Sequence, residues 1–147
     1  MDHNYVILSN SNVLVRVTAS DIMYISSDGS YSTMVLIDGR KHMFSFNLSS
    51  FEKQLETQLG LESKTFIRLG KSLIINSIYI YSINIPAQEL ILSCSSNPGE
   101  FVLNASRDAL KSLKLMIETL LKTRRLLGII RITITTFISL VINGKRL

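Results

Sequence analysis

Short runs of β-prone residues follow one another along most of the 147-residue chain, and only two stretches carry helical spacing. Apolar runs at 4–8 and 13–17 flank Ser9-Asn10-Ser11-Asn12, a turn composition, and a third run covers 21–26. Runs at 31–37 and 40–46 flank Asp38-Gly39. That dipeptide is the strongest short hairpin signal here, because both residues tolerate the positive φ of a type I′ turn. Strand-like runs resume at 66–76, 78–83, 89–94 and 100–104, with loops at 84–87, containing Pro86, and at 95–99, containing Pro98. Neighbouring strands joined by short turns pair antiparallel, since parallel pairing needs a long crossover. The pattern therefore predicts a mostly β, antiparallel fold with two short helices.

The first helix follows from Leu48, Phe51, Leu55 and Leu59, which repeat on one helical face. Ser49 with Glu52 three residues later matches a capping box, and Gly60 is the stop signal. The second helix is expected to start near Arg107 or Asp108 with Ser106 as its cap. Leu110, Leu113, Ile117, Leu120 and Leu121 mark its apolar face.

A hydrophobic content of 46% over this length suits one sizeable core. The single cysteine, Cys94, excludes an internal disulfide and, within a strand-like run, reads as a small buried hydrophobe. The N-terminus has neither the basic nor the apolar region of a signal peptide, which fits a reducing cytoplasm. The net charge of +5 is unevenly placed: residues 1–118 hold 10 basic and 11 acidic residues, a net −1, and residues 119–147 hold six basic ones. The chain is accordingly divided into a body, 4–118, and a basic, apolar tail, 119–147.

Within that tail, 126–142 is apolar apart from Arg131, Gly128 and scattered Thr and Ser. It falls short of the ~20 apolar residues that a membrane helix needs. Ile132, Ile134, Ile138, Leu140 and Ile142 fall on alternate positions, which is strand periodicity. A helix extension followed by a strand, a partner-binding tail and a membrane anchor all stay open.

Catalytic chemistry has little to stand on. His3 and His42 are the only histidines, too few for a zinc site, and neither a nucleophile elbow nor a phosphate-binding P-loop occurs. Asp28 and Asp38 sit beside glycines, where carboxylates close turns. The chain reads as a non-enzyme with no cofactor and no metal.

Residues 66–76 carry the most informative local chemistry. Phe66, Ile67 and Leu69 precede a short polar break, Leu73-Ile74-Ile75 follow it, and the loop between carries Lys71 and Ser72 with Arg68 just before. A cation and a hydroxyl on a tight loop suit an anionic oxygen or a base edge.

Three ordered segments resemble the LytTR-type DNA-binding domain of bacterial response regulators. Asp21-Ile22-Met23-Tyr24-Ile25-Ser26-Ser27-Asp28-Gly29-Ser30-Tyr31-Ser32 is similar to the family's Ile-x-Tyr-Ile-x-Ala-x-x-x-Tyr segment. Phe66-Ile67-Arg68-Leu69-Gly70-Lys71-Ser72-Leu73-Ile74-Ile75-Asn76 is similar to Phe-x-Arg-x-His-Arg-Ser-x-Ile-Val-Asn. Phe101-Val102-Leu103-Asn104-Ala105-Ser106-Arg107, before a helix, resembles the family's closing segment. The likeness spans roughly 4–118.

The resemblance implies an elongated antiparallel β-sheet domain that binds double-stranded DNA by placing loops in the major groove. It implies contacts from Tyr31 with Ser30 nearby, from Lys71 and Ser72, and from Arg107, and a homodimer on repeated sites. Gly70 stands where the family usually has histidine, and Lys71 where it has arginine. Lysine lacks the bidentate fork that reads guanine, so Lys71 suits a phosphate better than a base.

Each residue also has a plainer reading. Arg107 is a solvated first-turn residue, Lys71 a solubilising charge, Tyr31 a half-buried strand start, and Arg68 an ion-pair partner of Glu62 or another nearby acid. A second function, from another class, is a protein-interaction or membrane-tethered module that works through the tail.

Overall fold

The computed structural model describes residues 4–127. The chain opens with a hairpin of β1 (Tyr5–Ser9) and β2 (Leu14–Thr18). Asn10 closes it, its side-chain oxygen accepting the N–H groups of Asn12 and Val13 at 2.9 Å. Next come β3 (Ile22–Ser27), β4 (Ser32–Leu36), β5 (Lys41–Phe44), α1 (Leu48–Leu59), β6 (Phe66–Leu69) and β7 (Leu73–Asn76). The five strands form one antiparallel sheet in the order β5-β4-β3-β7-β6. A second antiparallel sheet, β10-β9-β8, is built from β8 (Ile80–Asn84), β9 (Glu89–Cys94) and β10 (Asn97–Asn104). The 21-residue α2 (Arg107–Leu127) follows. The mostly β, antiparallel architecture with two helices is the one expected.

The five-stranded sheet is covered on both faces. Strand β7 is buried along its whole length, which is why it reads Leu-Ile-Ile without a polar alternation. Ile74 joins a core made with Ile25, Met34, Phe44, the α1 stripe and the β1–β2 hairpin. Leu73 and Ile75 join the other core with Leu90, Leu92 and α2 residues Leu110, Leu113 and Leu120. In β3 a bulge between Ile22 and Tyr24 breaks the strict alternation. It allows Ile22 and Ile25 to share one face while Met23 and Tyr24 pack on the other.

The α1 stripe is buried at all four positions, Leu48, Phe51, Leu55 and Leu59. Phe51 meets the ring of Phe44 edge-on at 6.0 Å, and Phe44 stacks on Phe46 at 5.2 Å. Burial of each such side chain contributes about 1.5–3 kcal/mol.

Several local expectations are corrected. The α1 cap is Asn47, whose side chain accepts the Ser50 N–H at 2.9 Å. Ser49 and Glu52 therefore lie inside the helix and are free to point elsewhere. Gly60 does stop α1, at φ 59°.

The Asp38-Gly39 hairpin forms, but not through a type I′ turn. Only Gly39 has positive φ, at 89°, and the link spans 37–39 with Leu36 N–H donating to the Arg40 carbonyl at 2.9 Å. Asp38 instead ties the turn by accepting the Arg40 N–H at 3.0 Å. The loop expected at 95–99 shrinks because β10 begins at Asn97, with a bulge between Asn97 and Glu100. Cys94 is half-buried, its sulfur 3.0 Å from Ser96 Oγ.

In α2, Ser106 caps as expected, accepting the Ala109 N–H at 3.1 Å. The helix continues unbroken past Glu118, and Leu120 is buried in the second core. Leu121 is 55% exposed, because one residue further turns the side chain by about 100°, past the stripe's edge.

Candidate nucleic-acid interface

Antiparallel pairing of β3 with β7 brings the end of one and the start of the other together, with Ser26 opposite Leu73. Beyond that pair, the Ser27 N–H donates to the Ser72 carbonyl at 2.8 Å. The β3–β4 turn and the β6–β7 turn are thus bonded side by side at one end of the sheet. In the first turn, Ser27 Oγ donates to the Tyr31 carbonyl at 2.8 Å, and Gly29 takes φ 109°. Ser30 and Tyr31 project from it, Tyr31 being 51% exposed.

The second turn, 70–72, joins Leu69 to Leu73, which face each other across the hairpin. Gly70 holds the left-handed backbone, φ 64°, that lets three residues close it. Arg68 reaches over the turn. Its Nε donates to the Gly70 carbonyl at 3.2 Å and its Nη2 to the Lys71 carbonyl at 3.5 Å. Nη1 donates to Ser49 Oγ at 3.0 Å and to Glu52 Oε2 at 3.2 Å. The acid that pairs with Arg68 is therefore Glu52, not Glu62.

A third turn, between β8 and β9, completes the surface. Gln88 N–H donates to the Ile85 carbonyl at 3.1 Å, with Pro86 in the position that a fixed φ favours. Gln88 is the one non-glycine residue with positive φ among those described, at 56°. Its carbonyl accepts the Ala105 N–H at 3.1 Å, fastening this turn to the segment that leads into α2.

Between the second turn, the third turn and the start of α2 lies a groove of about 540 Å³. Its walls include Lys71, Ser72, Gln88, Asn104, Ser106 and Ala109. Lys71 brings a full positive charge to the groove, and the first amides of α2 add a partial one that the Asp108 carboxylate in the same turn offsets. Lys71 has no ion-pair partner among the described residues. The arrangement suits an anionic oxygen.

Of the residues singled out from the sequence, Lys71 and Ser72 line the groove. Arg107 follows Ser106 directly, is exposed, and rests its Nη2 on the Pro86 carbonyl at 3.3 Å. Ser30 and Tyr31 lie outside the groove, on the turn bonded to it through Ser27 and Ser72. Sequence reasoning missed Gln88 altogether, since a left-handed glutamine has no compositional signal. It recognised Ser106 only as a cap.

The part of the tail expected to dock or to form a strand, from 128 onward, lies outside the described residues. Among those described, no helix is long and apolar enough to cross a membrane.

A family model, the LytTr DNA-binding domain, matches residues 12–118. One similar solved structure is the LytTr DNA-binding domain of a methyl-accepting/DNA response regulator from Bacillus cereus. It shares 20% identity at a TM-score of 0.51, over 86% of this chain and 99% of that chain. At that identity the likeness speaks to the fold. No curated protein matches.

Proposed function

The chain belongs to the LytTr DNA-binding domain family, a DNA-binding and not an enzyme family, and on that premise we propose that it is a bacterial transcriptional regulator reading duplex DNA sequence-specifically. Three turns and the start of α2 enter the major groove together, two copies occupying repeated sites, and the protein works in the cytoplasm. The observation that carries this reading is the convergence of Lys71, Ser72 and Arg107, from separate stretches of chain, on one end of the fold.

The residues divide by chemistry. Lys71, a point charge beside the α2 amides, holds a phosphate and sets register without reading sequence. Arg107 carries the planar fork that matches the O6 and N7 of guanine, a contact that discriminates by about 1–3 kcal/mol. It exchanges the Pro86 carbonyl for the base edge. Ser72 and Ser30 supply hydroxyls at the rim, and the exposed ring of Tyr31 packs against the backbone sugars.

The near-neutral balance of residues 1–118 supports placement over bulk charge as the source of affinity. Site selection from a random duplex pool tests the reading. The expected result is an enriched motif present as two repeats; a pool that stays random through successive rounds overturns it.

A further inference from the structure

Arg68 has all three guanidinium nitrogens engaged within the protein. Two of its acceptors are the carbonyls of Gly70 and Lys71, the turn that presents Lys71 to the groove. The other two, Ser49 and Glu52, lie in the first two turns of α1. A three-residue turn that begins with a left-handed glycine has little restraint of its own. A planar fork can span a helix and two carbonyls at once, which a flexible ammonium cannot do.

We propose that Arg68 and Glu52 are positioning residues for DNA binding, a brace that makes α1 part of the interface. The brace fixes the direction in which Lys71 and Ser72 face the groove, while neither braced side chain touches DNA. This rests on the DNA-binding reading above. It predicts a sign that simple electrostatics reverses. A carboxylate near a phosphate-binding turn repels DNA, so neutralising Glu52 should tighten binding if the residue contributes charge alone. As part of the brace, its neutralisation weakens binding.

The test uses the full chain and its Glu52→Gln, Arg68→Gln and Arg68→Lys variants, titrated against a selected and a scrambled duplex over a salt series. Glu52→Gln is expected to lose about two- to fivefold in affinity for the selected duplex, the scale an ion pair one-third exposed on each side can transmit. The salt slope stays unchanged. Arg68→Gln loses more, and Arg68→Lys does not restore it.

In a Lys71→Ala background, the effect of Glu52→Gln shrinks, because there is no longer a lysine to position. Equal or tighter binding by Glu52→Gln overturns the brace. So does a salt slope reduced by about one in Arg68→Gln, the mark of a direct phosphate contact.

A DNA-independent readout separates this proposal from the reading beneath it. In the free protein, backbone order parameters at 70–72 are expected to fall in Glu52→Gln, and unchanged values overturn the brace. Urea titration of each variant shows that it is folded. Wild-type chain that binds both duplexes equally overturns the DNA reading and the positioning role with it.

Discussion

The backbone N–H of Ser27 donates to the carbonyl of Ser72 at 2.8 Å, so the turns after β3 and β6 lie side by side on one surface. The consequence is that Tyr31 and Lys71, 40 residues apart in sequence, are presented to a partner together. Neither turn has a hydrophobic reason to sit at this end of the sheet. Strand register puts them there, and the cores on the two sheet faces hold the register.

Lys71 and Arg107 should fail in different ways when truncated. Lys71→Ala is expected to weaken binding to every duplex alike and to lower the salt slope by about one. Arg107→Ala should cost about 1–3 kcal/mol on the preferred site and relax selectivity at one base position. Anisotropy titrations on matched and single-substituted duplexes separate the two.

Gly70 holds the position in the Lys71 turn that a side chain would strain. Nothing lies within 4 Å of where a Cβ would stand, so Gly70→Ala meets no clash, but φ of 64° disfavours it. Placing an alanine in the left-handed region costs about 1–2 kcal/mol. Urea unfolding should show a loss on that scale.

The helix cap offers a direct comparison. Asn47→Ala should destabilise by about 0.5–2 kcal/mol, because the Ser50 N–H loses its acceptor. Ser49→Ala removes no cap, only one of the four acceptors of the Arg68 guanidinium, and should cost less than Asn47→Ala. Thermal or urea unfolding of both variants distinguishes the observed cap from the one suggested by the Ser49–Glu52 spacing.

Burial raises the Tyr79 hydroxyl above its usual value, with Cys94 and Asp21 adding to the shift, while the hydroxyl donates to the Ser20 carbonyl. A raised folded-state value means that its stabilisation is complete below about pH 10, the unfolded value. It is lost as pH rises through the higher folded value. Tyr79→Phe should cost about 0.5–1.5 kcal/mol at neutral pH and narrow the difference from wild type above about pH 10. Tyr24, also raised by burial, keeps part of the alkaline loss in the variant. Urea titrations at neutral and alkaline pH measure both effects.

What the sequence disclosed and what it hid divide along physical lines. Strand runs, the α1 stripe, the Gly60 stop and the Ser106 cap show in residue spacing and type, and these were legible. The choice between Asn47 and Ser49 as cap was not. Both residue types cap well, and a start at Asn47 is the one that places buried Leu48 inside the helix.

In the site, Lys71 and Ser72 stood out as a cation and a hydroxyl on a tight loop, and the resemblance added Arg107, because the family's motif carries it. Gln88 carries no motif, and nothing in the local composition marks the left-handed backbone that it adopts. For Arg68 the sequence offered Glu62 or another nearby acid and did not choose between them. Glu62 is nearer in sequence, but the fold brings Glu52 of α1 over the turn.

Residues up to Leu127, and not the segment from 128 onward, are expected to read DNA. Fluorescence anisotropy of a chain ending at Leu127, beside the full chain, on selected and scrambled duplexes over a salt series tests it most directly. The shorter chain is expected to prefer the selected duplex at every salt concentration, with a shallower salt slope than the full chain. Binding that disappears with residues 128–147, or that ignores sequence in both chains, would contradict it.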